Sequence, residues 1–450
     1  MINISKKRRK LTAAKFLVLG YVVVILTGAF LLCLPVSSRD GSWTPFIDSL
    51  FTATSATCVT GLVVYSTNVH FSVFGQIVIL LLIQTGGVGF MTVITMVSMF
   101  LRRKIGLYER KLLMHSEGTG RISGVMHLLK RILLFTLVFE AFGAIMLATR
   151  FVGDFGWGRG IYYAVFHAVS SFCNAGFDLL GTADNLFPSL TPYVGDPVVN
   201  LTIMFLIVVG GLGFIVWSDV IDCKFRFKKY SLHTKIVITA TLALIFGGAV
   251  FFFFSEANHA FRDLTLPQRV FASFFQSVTP RTAGYNTVAM DELSEAGWLM
   301  TVMLMFVGGN TGSTAGGVKV TTLVVAVLGI VAAAKNDTSA TVGKKNVGGV
   351  QILQAFSIIG VYLMAVILSV MMMSFAEELP IEDLIFEAVS AIGTVGLTTG
   401  ITPTLTGFSK VILALLMFSG RVGAFSLLSA IAEKKENPPV RRPNGKILIG

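Results

Sequence analysis

Apolar residues run through this chain in stretches too long for a soluble core. Eight runs approach or exceed the roughly twenty residues needed to cross a bilayer, at about 13–34, 73–101, 129–150, 197–218, 235–255, 297–333, 350–375 and 408–432. Each is read as a membrane-spanning helix. The first run is full length and no small-residue cleavage site follows it, so it is expected to be a true span rather than a removable signal peptide.

Between the two spans of each successive pair lies a shorter segment, and these four segments resemble one another. They are FIDSLFTATSATCVTG ending at Gly61, IYYAVFHAVSSFCNAG ending at Gly176, RVFASFFQSVTPRTAG ending at Gly284, and a fourth ending at Gly396. Each has a phenylalanine ten residues before its glycine, at Phe51, Phe166, Phe274 and Phe386. Three have a serine six before it, at Ser55, Ser170 and Ser390, whereas the third has Val278. The marker glycines lie 115, 108 and 112 residues apart, a near-constant period that marks an internal repeat. A second glycine cluster begins 25, 24 and 24 residues later, at Gly86, Gly308 and Gly420; the interval to Gly210 is 34, because the loop GTADNLFPSLTPYVGDP is inserted.

The pattern predicts an all-α integral membrane protein of four tandem helix–pore loop–helix repeats, with eight transmembrane helices and four re-entrant half-helices around one central pore per chain. The expected organisation is a cytoplasmic N-terminus 1–12, repeat 1 at 13–101, repeat 2 at 128–218, repeat 3 at 234–333 with a broken second helix, repeat 4 at 350–432, and a cytoplasmic C-terminus 433–450.

Composition agrees with this class, since 54% of residues are hydrophobic and only 13% charged. Charge then sets the orientation. Of 36 Lys and Arg, 27 fall in 1–15, 102–131, 224–235, 335–345 and the tail from Lys434, which are read as cytoplasmic. The opposite side collects 16 of the 24 carboxylates. A multi-pass protein of the cell (plasma) membrane with both termini cytoplasmic is expected. The net charge of +12 therefore reflects topology and anionic lipid or an acidic partner rather than nucleic acid. Positive-inside topology with solvated acids outside accounts for most of the asymmetry.

The four loops carry the candidate chemistry. A cation crossing hydrocarbon exchanges its water shell for fixed oxygens, and rings of backbone carbonyls do this for potassium. Turning successive carbonyls to one axis needs backbone angles that a Cβ resists, which favours glycine. The candidate selectivity filter is Val59, Thr60, Gly61; Asn174, Ala175, Gly176; Thr282, Ala283, Gly284; and Thr394, Val395, Gly396, with potassium (K+) at the backbone carbonyls. The carbonyl ends of the half-helices would also favour a cation. Such irregular backbone at membrane depth survives only where it lines water or is buried in protein. The fourth stretch, TVGLTTG at 394–400, resembles the TVGYG filter of potassium channels.

Four loop-bearing repeats in one chain, one glycine per loop, and a glycine-broken span in repeat 3 resemble the superfamily of Trk, Ktr and plant HKT cation transporters. The likeness runs from about residue 13 to 432, and with eight spans it is similar to the Ktr-type membrane subunit. The resemblance implies potassium uptake, because glycine in all four filter positions accompanies potassium passage while serine in the first loop accompanies sodium preference. It also implies a homodimer, each protomer with its own pore, seated on a cytoplasmic nucleotide-binding regulatory ring of the RCK/KTN type. The inner loops at 102–131, 224–235 and 335–345 are where such a ring could dock. Na+ enters as activator or co-ion, and no organic cofactor is expected in this chain. The loops are otherwise unequal, which predicts one well-formed site with weaker neighbours.

The tract 308–319, GGNTGSTAGGVK, interrupts an apolar span. Glycines interleaved with Asn, Ser and Thr support a continuous helix poorly. The tract is read either as a kink for close helix packing or as an unwound segment under the filter acting as a gate; the resemblance implies the latter. The gate candidates are Gly308, Gly309, Asn310, Thr311, Gly312, Ser313, Thr314, Ala315, Gly316, Gly317, Lys319 and Arg421. Few helical hydrogen bonds are expected to hold the tract. Arg421 takes the column of Gly87, Gly211 and Gly309, in mid-span, where a cation costs at least about 2.5 kcal/mol. It is read as a positive barrier or as a charge that snorkels or pairs with Asp219 or Glu140. Lys319 either shares that task or reaches towards the cytoplasm. Arg281, beside the third loop, is expected to brace it by pairing with an acid such as Glu387.

Other function classes find less support. GSTAGGVKVTT resembles a phosphate loop superficially, but Val318 separates Gly317 from Lys319 and the tract lies in a span, so no enzyme is expected. The four cysteines and six histidines show no metal-ligand spacing. A sodium- or proton-coupled cation symporter of the same fold is the alternative to a gated channel.

Overall fold

A computed structural model of the chain describes residues 13–89, 91–93, 95–96, 125–337, 339–342 and 345–423. The expected cytoplasmic ends 1–12 and 433–450, most of the basic segment 102–131, and the last turns of the runs drawn to 101 and 432 lie outside the described residues.

The described residues form helices α1 (Ala13–Cys33), α2 (Phe46–Thr57), α3 (Thr67–His70), α4 (Val73–Val88), α5 (Val125–Phe155), α6 (Trp157–Phe172), α7 (Pro197–Leu212), α8 (Phe214–Asp222), α9 (Leu232–Ser255), α10 (Leu266–Val278), α11 (Glu295–Phe306), α12 (Val320–Ala334), α13 (Gly349–Ser374), α14 (Ile381–Gly393) and α15 (Gly407–Val422). Between α12 and α13 a short antiparallel hairpin, β1 (Ala340–Val342) and β2 (Lys345–Val347), sets Ala340 opposite Val347. The all-α expectation is corrected to that small extent. Helices α1, α5, α9 and α13 are long and apolar enough to cross a membrane, and α7 with α8 would make a fifth span across an 89° bend.

Helices α2, α6, α10 and α14 are the short ones that precede the marker glycines. Pro45 and Pro380 stand just before α2 and α14, and Pro267 in the first turn of α10, where a missing N–H leaves no intrahelical bond unmade. The helices that follow the loops begin at side-chain caps. Asp196 accepts from the N–H groups of Val198 (2.9 Å) and Val199 (3.1 Å) ahead of α7. Ser294 accepts from Gly297 N (3.0 Å) ahead of α11.

Helices α4, α7 and α15 each run 16 residues, about 24 Å. They stop at Gly89, Gly213 and Gly423, with φ of 91°, 95° and 86°. The run at 197–218, expected as one span, is therefore broken at Gly213. The cause is local: the fourth residue of each GGVG, GGLG or GRVG tract takes a positive φ that L side chains resist.

Each short helix folds back on the long helix before it. Each helix after a loop then meets the next short helix in the chain: α4 meets α6, α7 meets α10, α11 meets α14, and α15 returns to α2. The first glycine of the later tracts makes close approach possible. A Cβ on Gly86, Gly210 or Gly420 would collide with the carbonyl of Thr57, Phe172 or Ile392, each four residues before a marker glycine.

The seam where the end of the chain meets its beginning holds a buried ion pair. Lys410 Nζ on α15 donates to Asp48 Oδ1 on α2 at 2.8 Å, and Tyr65 Oη donates to Oδ2 at 2.9 Å. Removing one partner strands the other charge, which costs about 3–5 kcal/mol. Asp48→Ala is therefore expected to lower stability by about 3 kcal/mol in detergent unfolding, and the double variant Asp48→Leu, Lys410→Met to recover most of that loss.

Candidate functional site

The four marker glycines meet on one axis in cyclic order. A Cβ on Gly61 would stand 2.6 Å from Ala175 O, one on Gly176 2.7 Å from Ala283 O, and one on Gly284 2.6 Å from Val395 O; on Gly396 it would strike Thr60 O. Each glycine thus faces the carbonyl just before the next loop's glycine, and the fourth loop closes on the first. All four have positive φ, at 101°, 70°, 80° and 92°. Two residues earlier, Val59, Asn174, Thr282 and Thr394 are left-handed as well, with φ of 52°, 58°, 71° and 52°. That conformation is uncommon for any side chain and strained for a β-branched one. Its recurrence in four loops means that the surrounding structure imposes it.

The short helices brace the loops with hydroxyls. Gly61 N donates to Ser55 Oγ at 3.0 Å and Gly396 N to Ser390 Oγ at 3.1 Å, while Ser170 Oγ donates to Phe177 O at 2.8 Å. In the third loop Thr279 Oγ1 donates to Tyr285 O. The N–H before the glycine bonds back five residues in three loops, to Ser55, Ser170 and Ser390, but only four in the third, from Ala283 to Thr279. The third loop is one residue tighter, so Thr279 stands in the serine column that Val278 breaks. The phenylalanine column shifts likewise. Phe275 is buried like Phe51, Phe166 and Phe386, whereas Phe274 is only partly buried and meets Phe246 edge-on.

On the outgoing side of the ring is a cavity of about 400 Å³ lined by all four glycines. Asp178, Asp291, Asn185, Asn286 and Thr398 also line it, and part of the wall comes from the inserted loop at Phe187, Ser189 and Thr191. The carboxylates give this mouth a potential that draws cations.

On the other side, 308–319 is unwound between α11 and α12. Val307 and Val318 pair as an isolated parallel bridge, with Gly308 N donating to Val318 O at 2.9 Å, and Val320 N donates to Gly309 O at 3.2 Å. The loop lies against the incoming limbs of the ring. Thr314 Oγ1 bonds Phe172 O (3.2 Å) and Asn174 Oδ1 (3.3 Å). Cβ atoms on Gly308, Gly316 and Gly317 would meet Thr282, Thr394 and Gly393. As expected, the tract is held by few helical hydrogen bonds, and others take their place: Asn310 donates to Gly211 O through its N–H (3.1 Å) and Nδ2 (3.0 Å), and Phe214 N donates to Gly312 O at 2.8 Å. The bend at Gly213 frees these groups. In an unbroken helix, Phe214 N would pair with Gly210 O.

Arg421 lies across this assembly. Its Nη1 donates to Thr314 O and its Nη2 to Gly86 O and, at 3.2 Å, to Gly87 O at the end of α4. Helix-end carbonyls without intrahelical partners suit a cation. Asp219 instead accepts from Ser231 N (3.0 Å) and Glu140 from Gln84 Nε2 (3.4 Å), so neither is the partner of Arg421. Lys319 Nζ turns back to Ala315 O (2.7 Å) and Gly316 O (3.2 Å) within its own loop. Ser313 Oγ donates to Asn310 O at 2.6 Å, and Thr311 O faces Gly213. Arg281 reaches Thr241 O and Oγ1, not Glu387, which accepts from Thr398 and Thr402. Sequence reasoning missed Gly213 and Thr279. The recurrent fourth glycine of the tract signals the first, and a one-residue shift of FASFFQSVT signals the second.

Residues 10–439 match the model of the TrkH family, described as cation transport protein. The chain belongs to the TrkH family. This family member is 40% identical over 444 residues to the Ktr system potassium uptake protein B of Bacillus subtilis, covering 98% of this chain and 97% of that one. It is 39% identical to the potassium/sodium uptake protein NtpJ of Enterococcus hirae, over the whole of both chains. The crystal structure of the potassium transporter TrkH from Vibrio parahaemolyticus shares the fold with a TM-score of 0.75 at 16% identity, covering 95% of this chain and 86% of that one. As a TrkH family member with several long apolar helices, the chain is a multi-pass membrane transporter of cations. Gly396→Ala forces a Cβ onto Thr60 O and a strained φ, so it is expected to cut rubidium uptake into proteoliposomes at least tenfold, roughly the effect of 1–3 kcal/mol of backbone strain.

Proposed function

We propose that this TrkH family protein carries out potassium uptake across the plasma membrane through a channel-like pore on the axis of the four loops. The observation that carries this reading is the closed cyclic ring in which each marker glycine faces the next loop's carbonyl. Carbonyl oxygens at one level replace the water shell of a monovalent cation, and a mouth lined by Asp178 and Asp291 raises its local concentration. In this reading the chain is four helix–pore loop–helix repeats with eight spans, both termini cytoplasmic.

The 308–319 loop is the gate, held shut by Arg421. Both groups stand where the inner half of the pore would run, and the hydrogen bonds of the loop to the broken α7–α8 corner and of Arg421 to Thr314 and the end of α4 give the gate a defined closed state. Opening it requires exchanging those bonds, which suits control by a cytoplasmic nucleotide-binding regulatory ring beneath a homodimer. A sodium- or proton-coupled symporter is the second reading, favoured by one observation: a full-length relative at 39% identity is a potassium/sodium uptake protein.

Liposomes holding only this protein test the proposal. Arg421→Ala or deletion of 310–317 is expected to raise potassium flux about tenfold or more, since each hydrogen bond from a charged group contributes about 1.5–3 kcal/mol. Flux that rises without gaining dependence on a sodium or proton gradient supports the gated pore; flux that stays gradient-coupled supports the symporter. Gly61→Ser is expected to admit more sodium relative to potassium in bi-ionic flux, and an unchanged ratio would remove the first loop from the filter.

A further inference from the structure

A polar residue follows the buried phenylalanine in each short helix: Thr52, His167, Gln276 and Glu387. All four are buried behind the ring, with Gln276 in register once the third loop's one-residue shift is counted. Three of them reach the outgoing limb of their own loop. Leu179 N donates to His167 Nε2 at 3.5 Å, and Gln276 Nε2 donates to Met290 Sδ at 3.6 Å. Glu387 Oε1 accepts from Thr398 Oγ1 and, at 3.0 Å, from Thr402 Oγ1. Among the described residues Thr52 bonds only its own helix, at Asp48 O (2.9 Å).

Glu387 is the outlier in chemistry. It is a fully buried carboxyl with no cationic partner among the described residues, and its Oε2 meets no donor there. A group of that kind at membrane depth is costly and marks function, and the first short helix manages with threonine at the same place. The two hydroxyls it receives lie 3.0 Å apart, and Thr398 Oγ1 accepts from Gly400 N at 2.9 Å. One carboxyl oxygen therefore fixes the turn 398–402 above Gly396. On the same helix Ser390 grips Gly396 N from below.

We propose that Glu387 is a positioning residue for ion selection: by holding Thr398 and Thr402 it sets the Gly396 loop at the spacing that favours potassium over sodium. This rests on the reading of the four loops as the ion-selecting ring. The other three members of the column use groups that are neutral or bond more weakly, so loss of Glu387 relaxes the ring on one side.

The test compares potassium-to-sodium flux ratios in liposomes holding the full chain, with thermal unfolding as a folding control. Glu387→Ala and Thr398→Val are each expected to lower the ratio about tenfold, the effect of losing one hydrogen bond to a charged group. Glu387→Gln keeps an acceptor oxygen there and is expected to retain most of the preference. Thr398→Val leaves the helix intact and carries the test if Glu387→Ala fails to fold. Unchanged ratios in a folded Thr398→Val protein, or a Glu387→Gln ratio as low as that of Glu387→Ala, would overturn the proposal. Gly61→Ser in the same preparation separates the two levels. A changed ratio there with none in Thr398→Val rejects Glu387 alone, and no change in either rejects the ring reading with it.

Discussion

Four stretches of backbone meet at one axis, so close that no side chain fits between them. That close approach is the constraint on which the rest depends. It requires glycine at Gly61, Gly176, Gly284 and Gly396, where an added Cβ would lie within 2.7 Å of the next loop's carbonyl or nearer. It also requires left-handed residues two positions earlier, including Val59 and Thr394, which no isolated peptide would favour. Strain of this kind persists only in surroundings that over-determine it. Here the surroundings are the hydroxyl braces from the short helices and the glycine tracts that let α4, α7 and α15 press against them.

The lower layer follows from the same scarcity of hydrogen-bond partners away from water. Breaking a helix at membrane depth leaves donors and acceptors that must be satisfied within the protein. The chain breaks two helices side by side, at Gly213 and at 308–319, and lets each break satisfy the other: Phe214 N takes Gly312 O, and Asn310 takes Gly211 O. Arg421 completes the exchange by binding carbonyls that end α4 and that line the loop. A cation held by dipoles instead of a carboxylate keeps its positive charge uncompensated, which suits the barrier role proposed for it.

Much of the site was legible. The period of the marker glycines named the four loops that the structure brings together, the apolar runs placed the long helices to within a few residues, and the polar glycine tract at 308–319 identified the unwound segment. The misses have physical causes. Thr279 and Phe275 were displaced from their columns because the alignment was anchored on the glycine, whereas the third loop is one residue tighter. The break at Gly213 was hidden because its tract, VGGLGF, is as apolar as a helix and differs from one only in backbone freedom. Arg281 and Glu387 were matched by charge, yet Arg281 bonds the carbonyl and hydroxyl of Thr241 on α9, and Glu387 bonds the hydroxyls of Thr398 and Thr402 beyond its own loop.

By itself the sequence determined the membrane class, the four related loop segments and the glycines at their tips. These are carried by composition and spacing, which are properties of the chain alone. Only the tertiary structure decided that the loops close in cyclic order, that Arg421 binds Thr314 and the end of α4, and that the two broken helices share hydrogen bonds. Those pairings join residues 98 to 336 positions apart. They depend on which backbone groups are left unsatisfied once the helices have packed, and no local pattern of residues records that.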